Sequence, residues 1–306
     1  MDVEQLIAGV LAGDRRAVAR AISLVEDGGR ELPALSAGIF GQTGNASTLG
    51  LTGPPGVGKS TIANALVARA RADGVRAAVL AVDPSSPYTG GALLGDRVRM
   101  QEHATDPEVF IRSMATRGHL GGMALAAPEA VRILDAAGYR RIVVETVGVG
   151  QAEVDVAAAT DTAVVVLAPG FGDAVQVAKA GILEIADVFV VNKADRDGAG
   201  QVVRDLEQML HLSSGRAWDP PVVTATATVG EGLDGLWEAV EAHRSWLVGS
   251  GELDAKRRAR LRREVESLAT ARFRQRATAA LDDDGIIDDV AARRIDPYRA
   301  ADALLD

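Results

Sequence analysis

The chain has 306 residues, no cysteine and a formal net charge of -9. That length leaves open one large α/β domain with helical additions or two domains, and the lack of cysteine excludes disulfides, thiolate metal sites and a cysteine nucleophile. The acidic balance argues against a nucleic-acid binder or a polybasic membrane-surface protein. Met1-Asp-Val-Glu-Gln-Leu has neither the basic start nor the apolar run of a secretory signal, and no uncharged apolar run approaches the roughly 18 residues of a membrane span. The expectation is a cytoplasmic protein with no nucleic-acid and no membrane partner.

Residues 2 to about 40 read as helical, with Asp14 as N-cap and Gly28-Gly29 as a stop. Phe40-Gly-Gln-Thr-Gly-Asn-Ala-Ser47 is a polar joint. The expected division is 1–47 as an N-terminal helical extension, 48–248 as a phosphate-loop domain and 249–306 as a C-terminal helical arm with an acidic tail. From Thr48 to about Leu247 short apolar runs alternate with helical stretches, the pattern of an α/β fold with a mostly parallel sheet flanked by helices. The strand candidates are Leu49–Thr52, Ala77–Val82, Val109–Arg112, Arg141–Glu145, Thr162–Ala168, Val188–Asn192 and Val222–Ala225. Ligands to such a sheet collect at the carboxyl ends of its strands.

The first strand runs into Gly53-Pro-Pro-Gly56-Val57-Gly58-Lys59-Ser60-Thr61, a complete phosphate-binding loop. Backbone N–H groups from Gly56 to Thr61 can curl round a polyphosphate, and the following helix adds its positive end. Pro54 and Pro55 carry no N–H and contribute none. Lys59 can reach the β and γ phosphates, and the Ser60 hydroxyl is placed to ligate magnesium.

Further acids follow. Asp83 comes directly after the second strand, and Asp96 lies in the glycine-rich Gly90-Gly-Ala-Leu-Leu-Gly95-Asp-Arg-Val-Arg-Met100. Either can ligate magnesium or hold a water, or serve as a turn residue and a helix cap respectively. Glu145 closes the fourth strand with Gly148 three residues later, the positions of a magnesium-holding acid and a γ-phosphate-sensing glycine. In Ras-type hydrolases a Gln follows that glycine. Here Val149 does, with Gln151 two residues on, so slow unaided hydrolysis is expected.

Ala168-Pro-Gly-Phe-Gly172-Asp173-Ala-Val-Gln176-Val-Ala-Lys179 leaves the fifth strand through a flexible loop into a helix, and as an ordinary strand-to-helix connection it would need no further role. The sixth ends in Asn192-Lys193-Ala-Asp195, where Asp195 can accept from the N1–H and 2-amino group of guanine. Adenine would leave that acceptor unpaired. Asn192 would hold the loop, and the Lys193 stem would cover the base. Thr226-Ala227-Thr228, after the last strand, can add a backbone N–H to the guanine oxygen or be an ordinary turn. The histidines 103, 119, 211 and 243 show no metal-ligand spacing.

Glu252 to about Leu281 reads as one long helix with Leu261, Val265, Leu268 and Phe273 roughly on one face. It carries nine Lys or Arg against four acids, while residues 282–306 carry eight acids against three Arg. The opposite excesses can neutralise each other within or between protomers.

At these residues the chain resembles the methylmalonyl-CoA mutase-associated GTPases of the MeaB/ArgK family. The phosphate loop, Val82-Asp-Pro-Ser-Ser, Gly90–Met100, Phe110–Gly118, Val144-Glu-Thr-Val-Gly-Val-Gly-Gln151 and Asn192-Lys-Ala-Asp195 carry the resemblance. It implies a GTPase, using GTP/GDP and magnesium, that binds a cobalamin-dependent acyl-CoA mutase, gates adenosylcobalamin loading and protects or reactivates the mutase. It further implies a magnesium and switch network of Asp83, Asp96 and Glu145, and a mutase-responsive loop with Asp173, Gln176 and Lys179. The C-terminal helix would be the arm of a homodimer. Where many relatives read Gly-Asp-Glu-Leu-Gln, this chain departs with Gly172-Asp-Ala-Val-Gln176. Two alternatives stand beside this one. A phosphate-loop kinase would need a substrate lid and transfer base, neither of which is evident, and a chaperone for another metalloenzyme lacks a cysteine or histidine-rich tract to hold the metal.

Overall fold

The computed structural model describes residues 2–83, 103, 105–115, 123–146, 152–170, 182–212, 215–281 and 285–304. The chain divides into two compact units, Met1–Arg257 and Arg258–Asp306. The first opens with α1 (Val3–Leu11), α2 (Arg15–Asp27) and α3 (Leu32–Ile39), followed by a 3-10 turn, Phe40–Gln42. Asp14 caps α2 by accepting from the N–H groups of Arg16 and Ala17, and Gly28 ends it in the left-handed region. These helices belong to the main core. Val10, Val18, Ile22, Leu35 and Ile39 share one cluster with Phe110 and Met114 of β3 (Val109–Ala115). Arg15 also donates to the carbonyls of Asp106, Pro107 and Val109 at 3.0, 3.1 and 2.7 Å, and Arg112 pairs with Glu26 of α2.

The other elements of this unit among the described residues are β1 (Ser47–Thr52), α4 (Lys59–Ala72), β2 (Ala77–Asp83), α5 (Met123–Ala136), β4 (Arg141–Thr146), α6 (Ala152–Ala159), β5 (Thr162–Leu167), α7 (Ile182–Ile185), β6 (Val188–Asn192), α8 (Ala199–Leu212), β7 (Val222–Ala225) and α9 (Leu233–Ser250). The seven strands form one sheet of order β3-β2-β4-β1-β5-β6-β7. All its pairings are parallel. Leu49, Leu51, Val79 and Val143 pack one face against Ile62 and Leu66 of α4 and Leu236 and Val240 of α9. Leu80, Ile142 and Val144 pack the other against α5 and Val156 of α6. Burial on both faces explains why the strand runs lack polar alternation. All seven expected strands are present, with β3 reaching Ala115 rather than Arg112. Helix α9 runs through Gly249 and Ser250 and ends at Gly251, whose φ is 79°.

Opposite the strands' carboxyl ends, the start of α10 (Glu252–Leu281) is tied to the sheet. Arg257 donates to the carbonyls of Gly44 and Ala46 at 2.6 and 2.8 Å and reaches both Asp161 carboxylate oxygens, at 3.2 and 2.8 Å. Asp135 holds the same joint by accepting from the N–H groups of Gly44, Asn45 and Ala46. Lys256 donates to Asp187 at 2.8 Å and to the Asp161 carbonyl at 2.7 Å. His243, 1% exposed, lies between Thr162 Oγ1 at 2.9 Å and Asp187 at 3.3 Å, against Trp218 and Trp246. A neutral ring with Nε2–H donating to Asp187 and Nδ1 accepting from Thr162 satisfies both neighbours.

The second unit contains the rest of α10 with α11 (Gly285–Ala291) and α12 (Pro297–Ala303). Asp296 caps α12 through the N–H groups of Tyr298 and Arg299. Leu261, Val265, Leu268 and Phe273 are all exposed, Val265 at 64%. No described helix is long and apolar enough to cross a membrane.

Burial, opposed by Asp187, pushes the His243 pKa down from 6.5 to about 4. The unfolded chain therefore takes up a proton on this residue as pH falls below 6.5 while the native chain does not. Stability contributed by neutral His243 is present above pH 6.5 and should fall by on the order of 3 kcal/mol as pH drops towards 4. Denaturant midpoints measured at half-unit steps from pH 7.5 to 4, in native protein and His243→Gln, would check this through a flatter profile in the variant.

Candidate functional site

Gly53 leaves β1 at φ 135°, and a Cβ there would lie 2.1 Å from the Val166 carbonyl oxygen of β5. Only glycine permits that approach. Gly56 and Gly58 turn the loop at φ 79° and 101°, Val57 is buried between them, and Lys59 opens α4. The Lys59 ammonium donates to the Gly53 and Pro54 carbonyls at 2.6 and 3.0 Å, which holds it in the mouth of its own loop. Ser60 is partly buried and Thr61 exposed. Ser60 Oγ donates to Glu145 Oε1 at 3.2 Å, joining the first turn of α4 to the end of β4.

Two strands away, Asn192 ends β6 and is 3% exposed. Its Nδ2 donates to the Val57 carbonyl at 2.7 Å, and its Oδ1 accepts from Ala227 N at 3.1 Å. A Cβ on Gly58 would sit 2.3 Å from that Nδ2. Lys193, at φ 58°, donates to the Gly56 carbonyl at 2.7 Å. Partial burial, with Arg196 adding to it, holds its ammonium below the usual lysine range against the pull of Asp195. Asp195 is exposed. The turn after β7 places Thr226 buried, Ala227 partly buried and Thr228 exposed. Thr226 N donates to the Glu231 carbonyl at 2.9 Å, closing the turn. Glu231 and Gly232 escaped the sequence reading; Gly232 would put a Cβ 2.0 Å from the Thr224 carbonyl. The Gly230-Glu-Gly232 spacing is the signal that marks such a turn.

Asp83 is the last residue of β2. In the β2–β4 register Ala81 faces Glu145 and Val82 faces Thr146, so Asp83 lies at the neighbouring strand end. Its side chain is outside the described residues. Asp96, Gly148, Asp173, Gln176 and Lys179 also lie outside the described residues. Among the described residues no group of three or more His, Cys, Asp or Glu converges. Ser60 and Glu145 supply hydroxyl and carboxylate oxygens, the donor chemistry that suits magnesium, which keeps several waters and takes few protein ligands.

The description "Methylmalonyl Co-A mutase-associated GTPase MeaB" matches residues 18–282. The chain belongs to this family. A putative GTPase of Pyrococcus horikoshii is 48% identical, over 99% of this chain and 98% of that protein. GTPase ArgK of Escherichia coli is 40% identical over 80% and 77% respectively. The crystal structure of a LAO/AO transport system kinase matches with TM-score 0.69 and 28% identity, over 99% of this chain and 96% of that one. This MeaB-family chain is thus a P-loop GTPase.

Asn192 is the buried one of two side chains, with Lys193, through which its two motifs meet. Asn192→Ala would leave the buried Val57 carbonyl and Ala227 N–H without it, a loss of about 2–3 kcal/mol in stability. The same change should weaken GDP binding at least tenfold. Thermal unfolding and titration with a fluorescent guanine nucleotide would measure the two effects on one sample.

Proposed function

We propose that this GTPase is the chaperone of a cobalamin-dependent acyl-CoA mutase, methylmalonyl-CoA mutase first among them. In this reading it hydrolyses GTP to GDP and phosphate, gates adenosylcobalamin loading and protects or reactivates the mutase. The observation that carries the nucleotide half is the Asn192 bridge, which fixes Asn192-Lys-Ala-Asp195 beside the phosphate loop. The family description supports the mutase half.

The N–H groups of Gly56, Val57, Gly58, Lys59, Ser60 and Thr61, with the Gly53 turn behind them, would cradle the phosphates. Lys59 would exchange its loop carbonyls for β and γ oxygens. Lys193 would cover one face of guanine, Asp195 would accept from N1–H and the 2-amino group, and an N–H from Thr226–Thr228 would meet the base oxygen. Ser60 and Glu145, with Asp83 and Asp96, would hold magnesium, which when bound supplies positive charge to the phosphate oxygens. Gly148 would report the γ phosphate, and Asp173, Gln176 and Lys179 would answer to the mutase. No Gln stands directly after Gly148, so the isolated protein is slow and its partner accelerates it. We further propose a cytoplasmic homodimer joined through the C-terminal arm, whose exposed Leu261, Val265, Leu268 and Phe273 offer the apolar surface.

Phosphate release from GTP, measured alone and with methylmalonyl-CoA mutase, tests the whole reading with ATP as control. Slow GTP turnover that rises with mutase while ATP stays inert is expected. An unresponsive GTP turnover would remove that mutase as partner. Asp195→Asn should lose GTP affinity by about a hundredfold or more, because the amide presents a donor where guanine also donates. The same variant should take up xanthosine triphosphate, whose 2-oxo group accepts; competition titration with both nucleotides reads this directly.

A further inference from the structure

β1 and β4 lie side by side in register, with Leu51 opposite Glu145 as their last pair. One residue further on, at the final position of each strand, stand Thr52 and Thr146, 0% and 1% exposed. Glu145 faces α4, where it receives Ser60, so Thr146 faces the other side of the sheet. Thr52 shares that side: Gly50, two residues before it, would direct a Cβ at Thr160 and at Val156 of α6. Adjacent parallel strands run about 4.8 Å apart, which makes the two threonines neighbours. Neither Oγ1 has a hydrogen-bond partner among the described residues.

A buried hydroxyl without a partner disfavours the arrangement that contains it, and valine of the same shape would carry no such penalty. Two such hydroxyls stand together where the chain turns into the phosphate loop and where it leaves Glu145. From this we infer that Thr52 and Thr146 are positioning residues for GTP hydrolysis. Their hydrogen bonds are made in the reacting arrangement of the site, so they favour that arrangement over the one described here. They touch no nucleotide themselves. Their effect passes through the ends of β1 and β4, which set Gly53 and Glu145. A group that gains its partner in only one of two arrangements shifts their balance by that difference. The inference rests on the GTPase reading above and gives Thr52 and Thr146 a role that the motif readings do not assign to them.

The test compares native protein with Thr52→Val, Thr146→Val, the double variant and the two Thr→Ser variants. Each is measured for thermal midpoint without nucleotide and for kcat and KM of GTP hydrolysis. The valine variants should keep or raise the midpoint and lose about tenfold in kcat, while the serine variants, which keep the hydroxyl, stay near native turnover. The double variant should lose less than the product of the single losses if the hydroxyls share a partner, because coupled sites are not additive. A lower midpoint in the valine variants would overturn the inference, since the hydroxyls would then serve the resting fold. Unchanged turnover in them, or a serine variant as slow as valine, would overturn it as well. Native protein that fails to hydrolyse GTP would instead remove the reading beneath it.

Discussion

One amide side chain joins the phosphate loop to the ends of β6 and β7. Asn192 lies between the Val57 carbonyl and the Ala227 N–H, with Gly58 pressed against it. An amide suits this position because it donates from one end and accepts at the other, and a carboxylate could not donate to Val57. Gly58 has to be glycine both because φ is 101° and because a methyl group would strike the amide. Lys193 adds a second tie from the same strand end to Gly56. The carboxyl edge of the sheet therefore carries one connected object in place of two adjacent loops.

The amino edge is held by charge. Asp161 and Asp187 stand at the starts of β5 and β6, and Arg257 and Lys256 reach them from the first turns of α10. Arg257 is the stronger anchor, since its planar fork meets both oxygens of Asp161 and still reaches two backbone carbonyls. β5 and β6 run from this edge to the loop after Leu167 and to Asn192. The root of the C-terminal helix and the Asn192 bridge thus lie at opposite ends of the sheet. The N-terminal helices are also part of this core: Arg15 and the Arg112–Glu26 pair lock them to β3.

Thr52 and Thr146 differ in kind from these contacts. Most buried polar groups in this unit are used: Thr48 and Asp161 exchange hydrogen bonds across the sheet edge, and Thr162 serves His243. Against that background, Thr52 and Thr146 form a neighbouring pair of buried hydroxyls beside the phosphate loop without a hydrogen-bond partner among the described residues.

Strands, helices and motifs were legible in the sequence because each depends on neighbours a few residues away. Apolar runs mark strands buried on both faces, Asp14 and Gly28 mark the ends of a helix, and the glycine and lysine spacing marks the phosphate loop. The order β3-β2-β4-β1-β5-β6-β7 was not legible, since strand adjacency is set by how whole faces pack. Nor was the distant partner of any single side chain. Nothing local joins Arg257 to Asp161, Asn192 to Val57 or Ser60 to Glu145, which lie 96, 135 and 85 residues apart. The sequence determined which groups the chain carries to each strand end. Only the tertiary structure decided which of them meet and which buried hydroxyls are left over, because those outcomes depend on register and on sub-ångström fit between segments far apart in the chain.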